Sequence, residues 1–120
     1  MFAGINVVSI PVTDLDAGRD FYSRVLGLGT PVYDLPDNGW IEWSTGGPGG
    51  NLSIVQAPDG WSAAETGVTL VLNVAECDAA VAELRRRGVS CDEPTRFEGF
   101  VTYATFTDPF GNRLQICSPA

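Results

Sequence analysis

The side chains able to do chemistry in this 120-residue chain are few in kind. There are fifteen Asp and Glu, seven basic residues and three Cys, and no His. Every basic residue is Arg. The missing imidazole and ammonium groups exclude Ser–His and Cys–His nucleophilic catalysis, a His proton shuttle, Schiff-base chemistry and a P-loop lysine. They also remove the commonest transition-metal ligand. Acid–base work is left to carboxylates and phenols, and the candidates are Glu42 and Tyr103, each inside a β-rich run. Cys117 has no His or Lys to activate it, so it reads as a small buried apolar residue.

The formal net charge of −8 argues against nucleic acid and anionic membrane surfaces as partners, because both need a basic patch. It suits a cationic small molecule. Cys77, Cys91 and Cys117 are odd in number and form no C-x-x-C, so a disulfide scaffold or zinc ribbon is not expected and a reducing cytoplasm is. No apolar run approaches the ~20 residues of a membrane span. The opening residues carry no basic segment before their apolar ones, so no signal peptide is expected.

The elements that must position these groups follow from periodicity. Asn6 to Val12 alternates with Val8, Ile10 and Val12 on one face, a strand pattern. Thr13 or Asp14 can cap the helix that follows, whose stripe is Leu15, Gly18, Phe21, Tyr22, Val25 and Leu26, and Gly27 ends it. Thr30 to Leu35, Trp40 to Thr45 and Leu52 to Ala57 read as three more strands, with turns at Pro36–Gly39 and at Gly46–Gly50. The latter lacks the Lys and the following helix of a phosphate loop. The order then repeats: a strand over Val68 to Val74, a helix from about Glu76 to Arg87, and strands over Pro94 to Glu98, Phe100 to Phe106 and Arg113 to Ser118.

The repetition is visible in the letters. Gly47-Pro48-Gly49-Gly50-Asn51 returns as Asp108-Pro109-Phe110-Gly111-Asn112 at an offset of 61, and Val12-Thr13-Asp14-Leu15-Asp16-Ala17 as Val74-Ala75-Glu76-Cys77-Asp78-Ala79 at 62. The expectation is an α+β chain of two tandem βαβββ modules, 1–59 and 66–120, with a linker over 60–66, together one domain spanning 1–120.

Twice-used βαβββ units, Ile10-Pro11-Val12-Thr13-Asp14-Leu15 with Phe21-Tyr22 and Leu26-Gly27-Leu28, and the Asp108–Asn112 turn resemble the vicinal oxygen chelate superfamily, which includes glyoxalases, bleomycin resistance proteins and extradiol dioxygenases. The resemblance implies two curved sheets forming a cup and, in the metalloenzymes, a divalent metal held by His and Glu from the first and last strand of each module. Carried over residue by residue, those positions are Val7, Ile54, Thr69 and Gln115. None is His, Asp or Glu, so no metal and no cofactor is expected. The family's drug-binding branch works without metal, usually as homodimers, with a cup formed within one chain or across two.

Strand alternation supplies the expected lining: Val7, Ser9, Trp40, Glu42, Ile54, Gln56, Thr69, Asn73, Tyr103, Thr105, Gln115 and Cys117, with Trp61 reaching in from the linker. Apolar walls, aromatic rings and one carboxylate suit a small aromatic or amphipathic ligand, cationic ones included. The expected function is metal-free small-molecule binding of the bleomycin resistance type, antibiotic sequestration included. The alternative is a lyase, isomerase or dioxygenase with an atypical metal site, or one using Glu42 and Tyr103 for proton transfer.

Overall fold

The computed structural model describes residues 1–63 and 68–120. The chain divides into two units, Met1–Trp61 and Ser62–Ala120. The linker expected over 60–66 and the module start at residue 66 fall partly on 64–67, which lie outside the described residues.

The first unit runs β1 (Val7–Val12), α1 (Leu15–Asp20), β2 (Tyr33–Leu35), β3 (Trp40–Trp43) and β4 (Asn51–Gln56). Its sheet has the order β1-β4-β3-β2, with β1 parallel to β4 and the other pairs antiparallel. Asp14, not Thr13, caps α1, its carboxylate accepting from the Ala17 N–H at 3.0 Å. The helix was expected to reach Leu26. Instead it widens into a π turn over Phe21–Val25, with the Leu26 N–H donating to the Phe21 carbonyl. Phe21 and Tyr22 are buried there, and the Tyr22 ring lies 5.7 Å from that of Trp43. Arg19 reaches from α1 to Asp34 on β2 at 2.8 Å. At the end of the Gly-rich turn, Gly50 has φ +103, and a Cβ there would stand 2.7 Å from the Ile5 carbonyl oxygen. Only glycine fits.

The second unit runs β5 (Val71–Asn73), α2 (Cys77–Arg86), β6 (Ser90–Cys91), β7 (Thr95–Phe97), β8 (Val101–Thr107) and β9 (Arg113–Pro119). Its sheet has the order β5-β9-β8-β6, and β7 also pairs with β8. Glu76 caps α2 by accepting from the N–H groups of Asp78 and Ala79. Cys77 and Val81 are the buried positions of that helix. The expected strand over Val68 to Val74 is shorter, so Thr69 precedes β5 rather than belonging to it. The short strand β6 went unforeseen, because two residues carry no period.

Each helix covers one face of its own sheet. In the first unit the covered face holds Ile10, Val12, Ile41, Trp43, Leu52 and Ile54, all buried. In the second it holds Ala104, Phe106, Leu114 and Ile116. Between β8 and β9 the turn is fastened by Asp108, only 4 % exposed. Its carboxylate accepts from the backbone N–H of Phe110 and Asn112 and from the Asn112 side-chain amide. Replacing it strands those donors. Asp108→Ala is therefore expected to cost about 1–3 kcal/mol, read as a lowered urea midpoint, whereas Asp108→Asn keeps part of the loss back. A midpoint unchanged in Asp108→Ala would mean that the turn does not depend on this carboxylate.

Candidate functional site

Each unit has a sheet face that its helix leaves uncovered, and most of the candidate residues lie on these two faces. Registered partners on neighbouring strands share a face, and successive residues alternate. In the first unit β1 and β4 pair Val7 with Asn51, Ser9 with Ser53 and Pro11 with Val55. From β3, Glu42 stands opposite Ser53 and Trp40 opposite Val55. From β2, Tyr33 stands opposite Glu42 and Leu35 opposite Trp40. The helix-free face thus has a polar row, Ser9–Ser53–Glu42–Tyr33, beside a mainly apolar one, Pro11–Val55–Trp40–Leu35.

Hydrogen bonds fix Ser9 to Ser53 and tie Glu42 to residues on either side of the row. The Ser53 hydroxyl donates to the Ser9 hydroxyl at 2.8 Å. One Glu42 oxygen accepts from the Trp40 indole N–H at 3.0 Å, and the other accepts from the Asn51 side-chain amide at 2.8 Å. Glu42 is 7 % exposed. Its strand neighbour Trp43 points the other way, fully buried, with its indole N–H donating to the Ser23 hydroxyl and the Gly29 carbonyl. Of the two tryptophans on this strand, Trp43 is core and Trp40 belongs to the helix-free face.

In the second unit Asn73, Tyr103, Thr105, Gln115 and Cys117 share the helix-free face. The Gln115 amide donates to the Thr105 hydroxyl at 3.3 Å, and the Cys117 thiol lies 3.6 Å from the Asn73 amide oxygen. Tyr103 stacks on Phe97 of β7, ring centroids 5.9 Å apart and nearly parallel. Burial raises the thiols of Cys77 and Cys91 above their ordinary value, which suits inert cysteines.

Four expected lining residues are corrected. Ile54 pairs with Ile10, and Gln56 with Val12, so both lie on the helix-covered face. Ile54 is completely buried, and the Gln56 amide is spent on the Thr13 carbonyl. The cause is a one-residue slip in the repeat. The structural offset in this strand is 62, from Ser9 to Val71 and from Ser53 to Gln115, not 61. The counterpart of Gln115 is therefore Ser53. Trp61 sits in a turn, its N–H donating to the Pro58 carbonyl, outside either sheet. Thr69 is exposed ahead of β5. Residues of the helix-free faces that escaped the sequence reading include Ser53, Asn51 and Phe97, together with Tyr33, Leu35 and Val55. Ser53 was hidden by the slip, Asn51 passed for the end of a turn, and Phe97 lies on a three-residue strand.

The positions where the resemblance puts metal ligands thus carry Val7, Ser53, Thr69 and Gln115. A methyl-bearing side chain, two hydroxyls and an amide do not fit a transition-metal ion, which prefers imidazole, thiolate or carboxylate donors. No cluster of three or more His, Cys, Asp and Glu side chains able to hold a metal occurs among the described residues.

The comparisons with known proteins agree with this architecture. The Glyoxalase/Bleomycin resistance protein/Dioxygenase superfamily matches residues 4–116, and the chain belongs to that family. Among solved structures it is similar to TnmS3, an antibiotic binding protein from Streptomyces sp. CB03234, at 26 % identity and a TM-score of 0.78, covering 99 % of this chain and 98 % of that one. A putative glyoxalase family protein from Bacillus anthracis, at 19 % identity and TM-score 0.80, covers 100 % and 98 %. A superfamily member from Sphaerobacter thermophilus DSM 20745, at 23 % and 0.79, covers 97 % of each. The last two share the fold alone. No curated protein sequence matches the chain. No helix among the described residues is long and apolar enough to cross a membrane.

The face correction makes a prediction. Ile54→Ala opens a cavity under α1 and is expected to cost about 2–5 kcal/mol in chemical denaturation. Ser53→Ala deletes the hydroxyl contact with Ser9 without adding bulk at this fully buried position and is expected to cost less, about 0.5–1.5 kcal/mol. If the two variants lose equal stability, the assignment of faces in β4 is wrong.

Proposed function

We propose that the protein is a metal-free small-molecule-binding member of its superfamily, holding a planar aromatic or amphipathic ligand against the helix-free faces of its sheets. The observation that carries this reading is the make-up of the first unit's helix-free face. There, an indole and an apolar row lie alongside hydroxyls, an amide and a carboxylate that are already hydrogen-bonded in place. Few polar groups, preset in direction beside apolar surface, are the ordinary composition of a small-molecule site. The Tyr103–Phe97 stack offers a comparable aromatic surface on the second unit. The likeness to TnmS3 supports a role in antibiotic sequestration. The non-ligating side chains at the four metal positions support binding without a metal.

Three free thiols among the described residues fit a reducing cytoplasm. The family resemblance supports a homodimer.

The test is calorimetric titration of EDTA-dialysed protein with a panel of planar aromatic antibiotics and dyes, alongside elemental analysis of protein purified without chelator. Binding in the micromolar range or tighter, unchanged by EDTA and reduced by Trp40→Ala, is the expected result. A transition metal retained in near-stoichiometric amount, or binding that appears only when metal is returned, would overturn the metal-free reading and point to the metalloenzyme branch.

A further inference from the structure

Two carboxylates are buried among the described residues, Asp108 and Glu42. Asp108 is accounted for by its turn, where it accepts three hydrogen bonds. Glu42 is not accounted for in the same way. Its two partners, the Trp40 indole and the Asn51 amide, are neutral donors supplying one hydrogen bond to each oxygen. A carboxylate oxygen has room for a second. No ion pair among the described residues includes Glu42. Arg19, Arg24, Arg85, Arg86, Arg87 and Arg96 all pair with other carboxylates, chiefly exposed ones. Asp108 also accepts from neutral donors, but in doing so it closes a turn; a buried carboxylate without such a role is normally matched by a positive charge.

Resting on the binding function proposed above, we infer that Glu42 is the counter-ion for a cationic nitrogen on the ligand, and that Asn51 and Trp40 are its positioning residues. The ligand class is then a planar aromatic bearing a protonated amine, amidine or similar N–H cation. The polar row puts the exposed Ser9 hydroxyl beside Ser53, and Ser53 beside Glu42, so hydroxyls and the carboxylate lie along one line across the sheet. The apolar row beside it offers Trp40, whose ring face attracts a cation. Asn51 sits where the Gly46–Gly50 turn re-enters the sheet, and its backbone N–H donates to the Asn6 carbonyl. The residue whose amide directs the carboxylate is therefore anchored through its backbone to the segment just before β1. The chain's net charge of −8 draws cations toward the protein.

The test uses matched pairs of planar dyes, each cationic compound beside an uncharged isostere, such as proflavine beside acridine above neutral pH. Wild-type protein is expected to bind the cation at least about ten-fold tighter, the difference between a charge-assisted and a neutral hydrogen bond. Glu42→Gln should erase that preference while retaining affinity for the neutral partner. Glu42→Asp should restore part of it. Asn51→Ala should weaken the cation selectively while the neutral compound binds as before, an effect that a general loss of packing would not produce. Circular dichroism checks that the variants fold, and the wild-type comparison needs no variant. Equal affinity of wild type for both members of every pair overturns the assignment of Glu42 while leaving the binding function standing. Failure of every compound to bind overturns the binding function, and this inference with it.

Discussion

The parallel pairing of β1 with β4 is the constraint from which the first unit's organisation follows. It sets Ser9 against Ser53 and Ile10 against Ile54, and so decides which side chains meet the helix and which do not. Since strand faces alternate residue by residue, displacing this register by one would send Ile54 out and Ser53 in. The core could not survive that exchange. Ile10, Ile41, Leu52, Ile54 and Trp43 are buried on the face that α1 covers, with Trp43 against Tyr22, and a row of hydroxyls cannot replace them. Hydrophobic burial on one face thereby fixes the polar composition of the other.

The polar face depends on that burial in a second way. Trp40 and Trp43 are three residues apart, on opposite faces of one strand. Trp43 locks β3 to the π turn through its contact with Tyr22 and its hydrogen bond to Ser23. With β3 held, the Glu42 carboxylate is delivered next to Asn51 and Trp40. A carboxylate fixed this way loses little rotamer freedom when a ligand arrives.

The two units share a plan but not a chemistry. Ser53 and Gln115 are structural counterparts, yet one belongs to a row ending in a carboxylate and the other hydrogen-bonds a threonine. The hairpin turns differ as well. Asp108 ties the second with its carboxylate, whereas the first uses glycines, with Gly50 pressed against the Ile5 carbonyl.

The letters of the chain were enough for much of this. Half-length repetition, strand and helix periods, the turn residues and the family resemblance together led to two strand–helix–sheet units, the second carrying β6 beyond the expected βαβββ, and alternation with the repeat placed Ser9, Trp40, Glu42, Tyr103, Thr105 and Gln115 on helix-free faces. What the letters could not decide was register. The repeat's offset changes by one residue through the Gly-rich turn, and nothing local marks the change, because glycine turns of either length read alike. The π turn at Phe21 and the two-residue strand β6 also arise from contacts, not from any period. Composition and periodicity are properties of neighbours along the chain, and they determined which elements form. The partner of Glu42 is a property of strands brought together across nine residues of turn and sheet, and only the tertiary structure could supply it.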